Sequence, residues 1–114
     1  ELETALEAAC RFQGLPHRLE SVAEVEGVRY YNDSVATTPE STLAALAAFS
    51  EPIVLIAGGK DKGMDYGRLA REAARRTRAV ILLGTIAPRL AELIGSQVPE
   101  VGGPAVRVVD TESV

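Results

Sequence analysis

Two short polar stretches carry the side chains with chemistry to offer. The first, YNDSVATTPEST at residues 31–42, places Asn32, Asp33, Ser34, Thr37 and Thr38 close together. The second, IAGGKDKGMDY at residues 56–66, sets Lys60, Asp61 and Lys62 directly after Gly58 and Gly59. A double glycine after a strand is a weak anion signal, since freely turning backbone amides make a concave nest for negative charge. No G-x-x-x-x-G-K-[ST] phosphate loop occurs, and residues 58–63 do not fit that spacing. On residue type alone the bland readings weigh more. Asp33 is then a turn or cap residue, Thr37 or Thr38 a helix cap, Lys60 and Lys62 solvated loop lysines, and Arg18 a surface arginine. His17, beside Pro16, reads as structural.

Both stretches sit where strands hand over to helices. Residues 28–31 are β-branched and aromatic, residues 32–38 small and polar, and residues 43–49 an apolar run on strong helix formers. Thr38, Pro39 and Glu40 make a good helix start: a cap oxygen, a proline tolerated in the first turn, and a carboxylate at the positive end. A loop at a strand's carboxyl end is where open α/β sheets gather ligands. Residues 53–57 form a continuous apolar run, the pattern of a strand covered on both faces inside a sheet. A charged loop follows, then a helix over about residues 65–77 with Leu69, Ala70, Ala73 and Ala74 as its buried stripe. Arg68, Arg71, Arg75 and Arg78 form a basic edge, read as a solvated face.

The alternation continues. Residues 79–83 repeat the strand pattern, a helix with Leu90, Leu93 and Ile94 on its apolar side runs through Gly95, and residues 105–109 form a last strand after a surface loop at residues 96–104. Thr111, Glu112 and Ser113 resemble the opening turn of a further helix. Upstream, Leu2, Ala5, Leu6, Ala9 and Cys10 fall at helical spacing, with Gly14 and Pro16 as the stop. Cys10 lies on that stripe and is expected to be a buried structural thiol. Residues 18–25 and 28–31, joined by Glu26-Gly27, predict an antiparallel pair at one edge. The whole predicts an α/β fold: a Rossmann-like, mostly parallel sheet with helices on both faces and an antiparallel edge strand.

The 114 residues, 46% hydrophobic and 25% charged, suit one globular domain. With 12 Lys and Arg against 16 Asp and Glu, the net charge of −4 argues against a nucleic-acid partner. A single cysteine excludes an internal disulfide and points to a reducing, cytoplasmic compartment. No His/Cys cluster offers a metal site. Apolar runs fall far short of the roughly 20 residues that span a bilayer, so no membrane role is expected.

YNDSVATTPEST resembles the asparagine-aspartate-serine-lysine-alanine-threonine signature of the Mur ligase family, in the branch that adds D-glutamate. GLPHRLE at residues 14–20 and IAGGKDKGMDY match further family segments in order and spacing. One position departs: Val35 stands where the family has lysine. The resemblance implies a helix next to a linker at residues 1–13, and at residues 14–114 most of the family's C-terminal, amino-acid-binding domain, ending before its last elements. It further implies an ADP-forming ligase in which ATP phosphorylates a carboxylate and an amine attacks the acyl phosphate.

By the same resemblance, Thr37 and Lys62 bind D-glutamate, while Arg18, Asn32 and Asp33 contact the nucleotide. No residue of this chain is assigned as catalytic and none as a metal ligand. ATP and Mg²⁺ would be held mainly by a central domain outside this chain, and UDP-N-acetylmuramoyl-L-alanine by an N-terminal one. The chain alone is expected to be an inactive monomer. Two alternatives stand: a free α/β module that binds an anion or nucleotide without catalysis, and another Mur-type or folylpolyglutamate ligase.

Overall fold

The computed structural model describes residues 1–97 and 103–109. Two compact units compose the chain, Glu1–Ala36 and Thr37–Val114.

In the first unit, helix α1 (Leu2–Arg11) precedes a two-stranded antiparallel sheet of β1 (Glu20–Val25) and β2 (Val28–Asn32). Glu26 and Gly27 both adopt positive φ, 51° and 79°, the pairing demanded by a tight hairpin turn whose twist matches its strands. Val25 faces Val28 across this turn, and a bulge between Ser21 and Ala23 shifts the register before Glu20 meets Asn32. The expected antiparallel pair forms as a two-stranded sheet.

Cys10 departs from expectation. Helix α1 has no buried residue, Leu2 is 75% exposed, and the Cys10 thiol is exposed. Helical periodicity creates an apolar stripe but does not supply a surface to cover it, and the described residues provide none.

In the second unit, α2 (Pro39–Ala47), β3 (Ile53–Gly58), α3 (Gly67–Arg76), β4 (Thr77–Leu83), α4 (Ala87–Gln97) and β5 (Ala105–Val108) follow the predicted alternation. The sheet is parallel in the order β3-β4-β5. Val80 and Leu82 of β4 are completely buried beneath Leu69, Ala70 and Ala73 of α3 and Leu90 and Ile94 of α4, and Leu46 of α2 joins the same core. Thr77 is buried with its hydroxyl satisfied, donating to the Ala73 carbonyl at 2.6 Å.

Strand β3 is not the interior strand that its apolar run suggested. It lies at one side of the sheet, and burial alternates along it, leaving Val54 57% and Ile56 64% exposed. A continuous apolar run says only that both faces are apolar. Among the described residues the helices cover one of them.

The basic edge behaves as a solvated face: Arg68, Arg71, Arg75 and Arg78 are exposed. Glu72 pairs with Arg75 at 2.9 Å and Arg76 at 2.6 Å, and the Arg76 hydrogen bond leads in holding its carboxyl below the ordinary range. The expected helix start at Thr111, Glu112 and Ser113 lies outside the described residues, as does part of the 96–104 loop.

Candidate functional site

The first polar loop, after β2, is built from its own side chains. Asp33 Oδ1 accepts the Leu19 backbone N–H at 3.0 Å, tying this loop to the segment ahead of β1. Asn32 uses both ends of its amide: Oδ1 accepts from Ser34 N–H at 3.0 Å, and Nδ2 donates to His17 Nδ1 at 2.9 Å. That direction follows from the Ser34 contact, which fixes the amide's orientation and leaves the imidazole proton on Nε2. The His17 carbonyl accepts from Val35 N–H at 3.1 Å.

His17 and Leu19 carry φ of 60° and 43°, a left-handed backbone uncommon for such residues. Arg18, between them, is exposed. These bonds are what hold a costly backbone in place. Arg18, Asn32 and Asp33 are thus brought together, with His17 in the structural role expected of it. Val35 is 43% exposed, so the position that departs from the family signature presents its side chain to solvent while its N–H is held.

Thr37 and Thr38 divide the work of the next turn. Thr38 is the cap of α2: its Oγ1 accepts from Ser41 N–H at 3.3 Å, Pro39 occupies the first turn, and Glu40 adds a carboxylate there. Thr37 is exposed, with its hydroxyl not used as the cap.

The second loop joins β3 to α3. Gly59 and Gly63 have φ of 122° and 66°, open to glycine at little cost. A Cβ at Gly58 would collide with the Leu83 carbonyl, so the strands approach closely there. Asp61 Oδ1 accepts from Gly63 N–H at 2.8 Å, and Asp61 N–H donates to Thr85 Oγ1 at 3.2 Å. Lys62 N–H donates to the hydroxyl of buried Tyr66 at 3.3 Å. From α4, Arg89 Nη1 reaches Asp61 Oδ1 and Oδ2 at 3.1 and 3.2 Å.

The Gly63 amide, and then Arg89, hold the Asp61 carboxyl below its usual 3.8. Lys60 and Lys62 are exposed. No hydrogen bond or ion pair joins Thr37 to Lys62 among the described residues. Tyr66, Thr85 and Arg89 were not singled out from sequence, and Asp61 stood out there only as a member of the charged loop. Asp61 and Arg89 are 28 residues apart, and no periodicity links positions so distant.

Among the described residues no three His, Cys, Asp or Glu side chains gather to hold a metal ion. No helix among them is long and apolar enough to cross a membrane.

The family model described as "Mur ligase, glutamate ligase domain" matches residues 17–113. The chain therefore belongs to the Mur ligase family, in its glutamate ligase domain. Similar proteins carry a more particular name. A UDP-N-acetylmuramoylalanine–D-glutamate ligase of Pelotomaculum thermopropionicum is 51% identical over 72% of this chain and 18% of its own length. Proteins of that name from Roseiflexus sp. and Clostridium perfringens are 56% and 40% identical, covering 69% and 95% of this chain and 17% and 25% of their own lengths. The chain thus spans about a fifth of the length of these curated relatives.

Proposed function

We propose that this chain is the amino-acid-accepting part of a cytoplasmic, monomeric ligase that joins D-glutamate to UDP-N-acetylmuramoyl-L-alanine, with residues 14–114 as its C-terminal domain. The observation that carries the reading is the second loop. Asp61, Tyr66, Thr85 and Arg89 hold its backbone, and Lys62 keeps an exposed ammonium. An ammonium on a fixed backbone suits a carboxylate, and D-glutamate offers two. Thr37, released from capping by Thr38, supplies a hydroxyl to the same substrate.

Arg18 and Asp33 take one side of a nucleotide, and Asn32 holds the loop on which Asp33 sits. ATP, bound mainly by other parts of the full-length protein, supplies the phosphoryl group that makes the acceptor carboxylate reactive. The work of this chain is to hold the amino acid so that its amine is presented to the activated carboxyl.

The test is steady-state kinetics of the full-length protein with ATP, Mg²⁺, the UDP-linked acceptor and D-glutamate. Lys62→Ala should raise the KM for D-glutamate about tenfold or more, the cost of one charge-assisted contact. An unchanged KM removes Lys62 from the amino-acid site. The isolated chain should not turn over.

A further inference from the structure

The loop that carries Lys62 is anchored from a distance. Arg89, in the first turn of α4, spreads one guanidinium over three partners. Nη1 donates to both carboxylate oxygens of Asp61 at 3.1 and 3.2 Å, Nη2 donates to the Met64 carbonyl at 3.4 Å, and the guanidinium carbon stands 5.2 Å from the centre of the Tyr66 ring. Each contact leads back to the loop backbone. Asp61 accepts the Gly63 N–H, and the Tyr66 hydroxyl accepts the N–H of Lys62 itself. The guanidinium therefore braces the chain on both sides of Lys62. Arg89 and Asp61 side chains are 45% and 33% exposed, and ion pairs so open to water add little to global stability. What they determine is local: where residues 61–64 sit.

We propose that Arg89 is a positioning residue for Lys62, fixing the loop so that the ammonium waits in the place an amino-acid carboxylate will occupy. The inference about the loop rests on its geometry, and the consequence for substrate rests on the reading of Lys62 given above. The fork geometry matters: lysine would keep the charge but lose the paired contact to Asp61 and the planar face over Tyr66.

Two measurements test it. In the 114-residue chain, amide exchange at Lys62 and Gly63 should accelerate about tenfold or more in Arg89→Ala, and nearly as much in Arg89→Lys, while Leu82 in the strand stays unchanged. In the full-length protein, Arg89→Ala should raise the KM for D-glutamate about tenfold with a much smaller change in kcat, and should add nothing in a Lys62→Ala background, because the two act as one unit. Unaltered exchange at Lys62 and Gly63 overturns the proposal. So does a KM that responds to Lys62→Ala but not to Arg89→Ala, or full additivity of the two. If exchange accelerates while neither variant moves KM, the anchoring by Arg89 stands and the carboxylate role of Lys62 falls. Should Arg89→Ala fail to fold, Arg89→Lys and Asp61→Asn carry the same readouts.

Discussion

The two polar loops are built on opposite plans. After β2, two of the side chains proposed to meet a nucleotide are also scaffold: Asp33 holds Leu19, and Asn32 holds both Ser34 and His17. After β3 the tasks are separated. Asp61, Tyr66, Thr85 and Arg89 shape the backbone, and Lys62 spends only its N–H on structure. A residue with two tasks is costly to change, because substitution damages position and contact together. A residue with one task can be removed while its surroundings stay intact.

Asp33 is where that contrast should break most visibly. Asp33→Ala leaves the part-buried Leu19 N–H without its partner and should cost the chain about 1 kcal/mol in denaturant unfolding. In the full-length protein it should lower kcat/KM for ATP about a hundredfold. Asp33→Asn keeps an acceptor for Leu19 and should recover the stability but not the activity. Recovery of both would make Asp33 scaffold alone. Lys62→Ala, by contrast, should leave the unfolding free energy within about 0.5 kcal/mol while raising the KM for D-glutamate. A matching loss of stability would erase the distinction between the loops.

Val35 sharpens the first loop's plan. Its N–H is engaged with the His17 carbonyl and its side chain is 43% exposed, so Val35→Lys should fit without rearrangement and change stability by less than about 0.5 kcal/mol. Placing a cation there should raise turnover of the full-length protein about tenfold, each 1.36 kcal/mol of transition-state stabilisation being one such factor. Equal turnover of the two would show that the charge is supplied elsewhere.

The smallest expected effect concerns acid. Asp61 titrates below 3.8 in the folded chain, held there first by the Gly63 amide and then by Arg89. A depressed carboxyl lends its stabilisation above the unfolded value and gives it up as pH falls through the folded one. The loop should therefore keep its order at pH 5 and lose it only below about 3.8. Followed by carboxyl chemical shift, the Asp61 midpoint should move up toward 3.8 in Arg89→Ala without reaching it, since Gly63 remains. A midpoint that does not move would exclude Arg89 from the cause.

Much of this was legible in the residues. The strand and helix alternation from Ile53 onward follows from apolar runs and helical spacing, the Glu26-Gly27 hairpin from turn chemistry, and the α2 start from Thr38, Pro39 and Glu40. Three things were not. Arg89 meets Asp61 across a whole strand and a helix, a relation only the folded topology creates. Cys10 sits on a stripe whose pattern implies burial without naming a partner. The apolar run of β3 describes its own two faces but not which of them a helix will cover.

That uncovered face has a consequence for how the chain behaves in a tube. Ile56, Ile81 and Arg107 lie in one row across the three strands, on the side opposite Val80 and Leu82. Val54 and Ile56 stand in water beside a β3 edge that no described strand pairs. An apolar surface next to an open edge is a template for sticking to its own kind. Arg107, exposed at the far end of the row, is the lone charge on it and sits at the opposite edge from β3. Solubility should therefore be governed from the β3 side, and a single Ile56→Lys, which removes no contact from the packed core, should keep the chain dispersed at concentrations where the parent clouds.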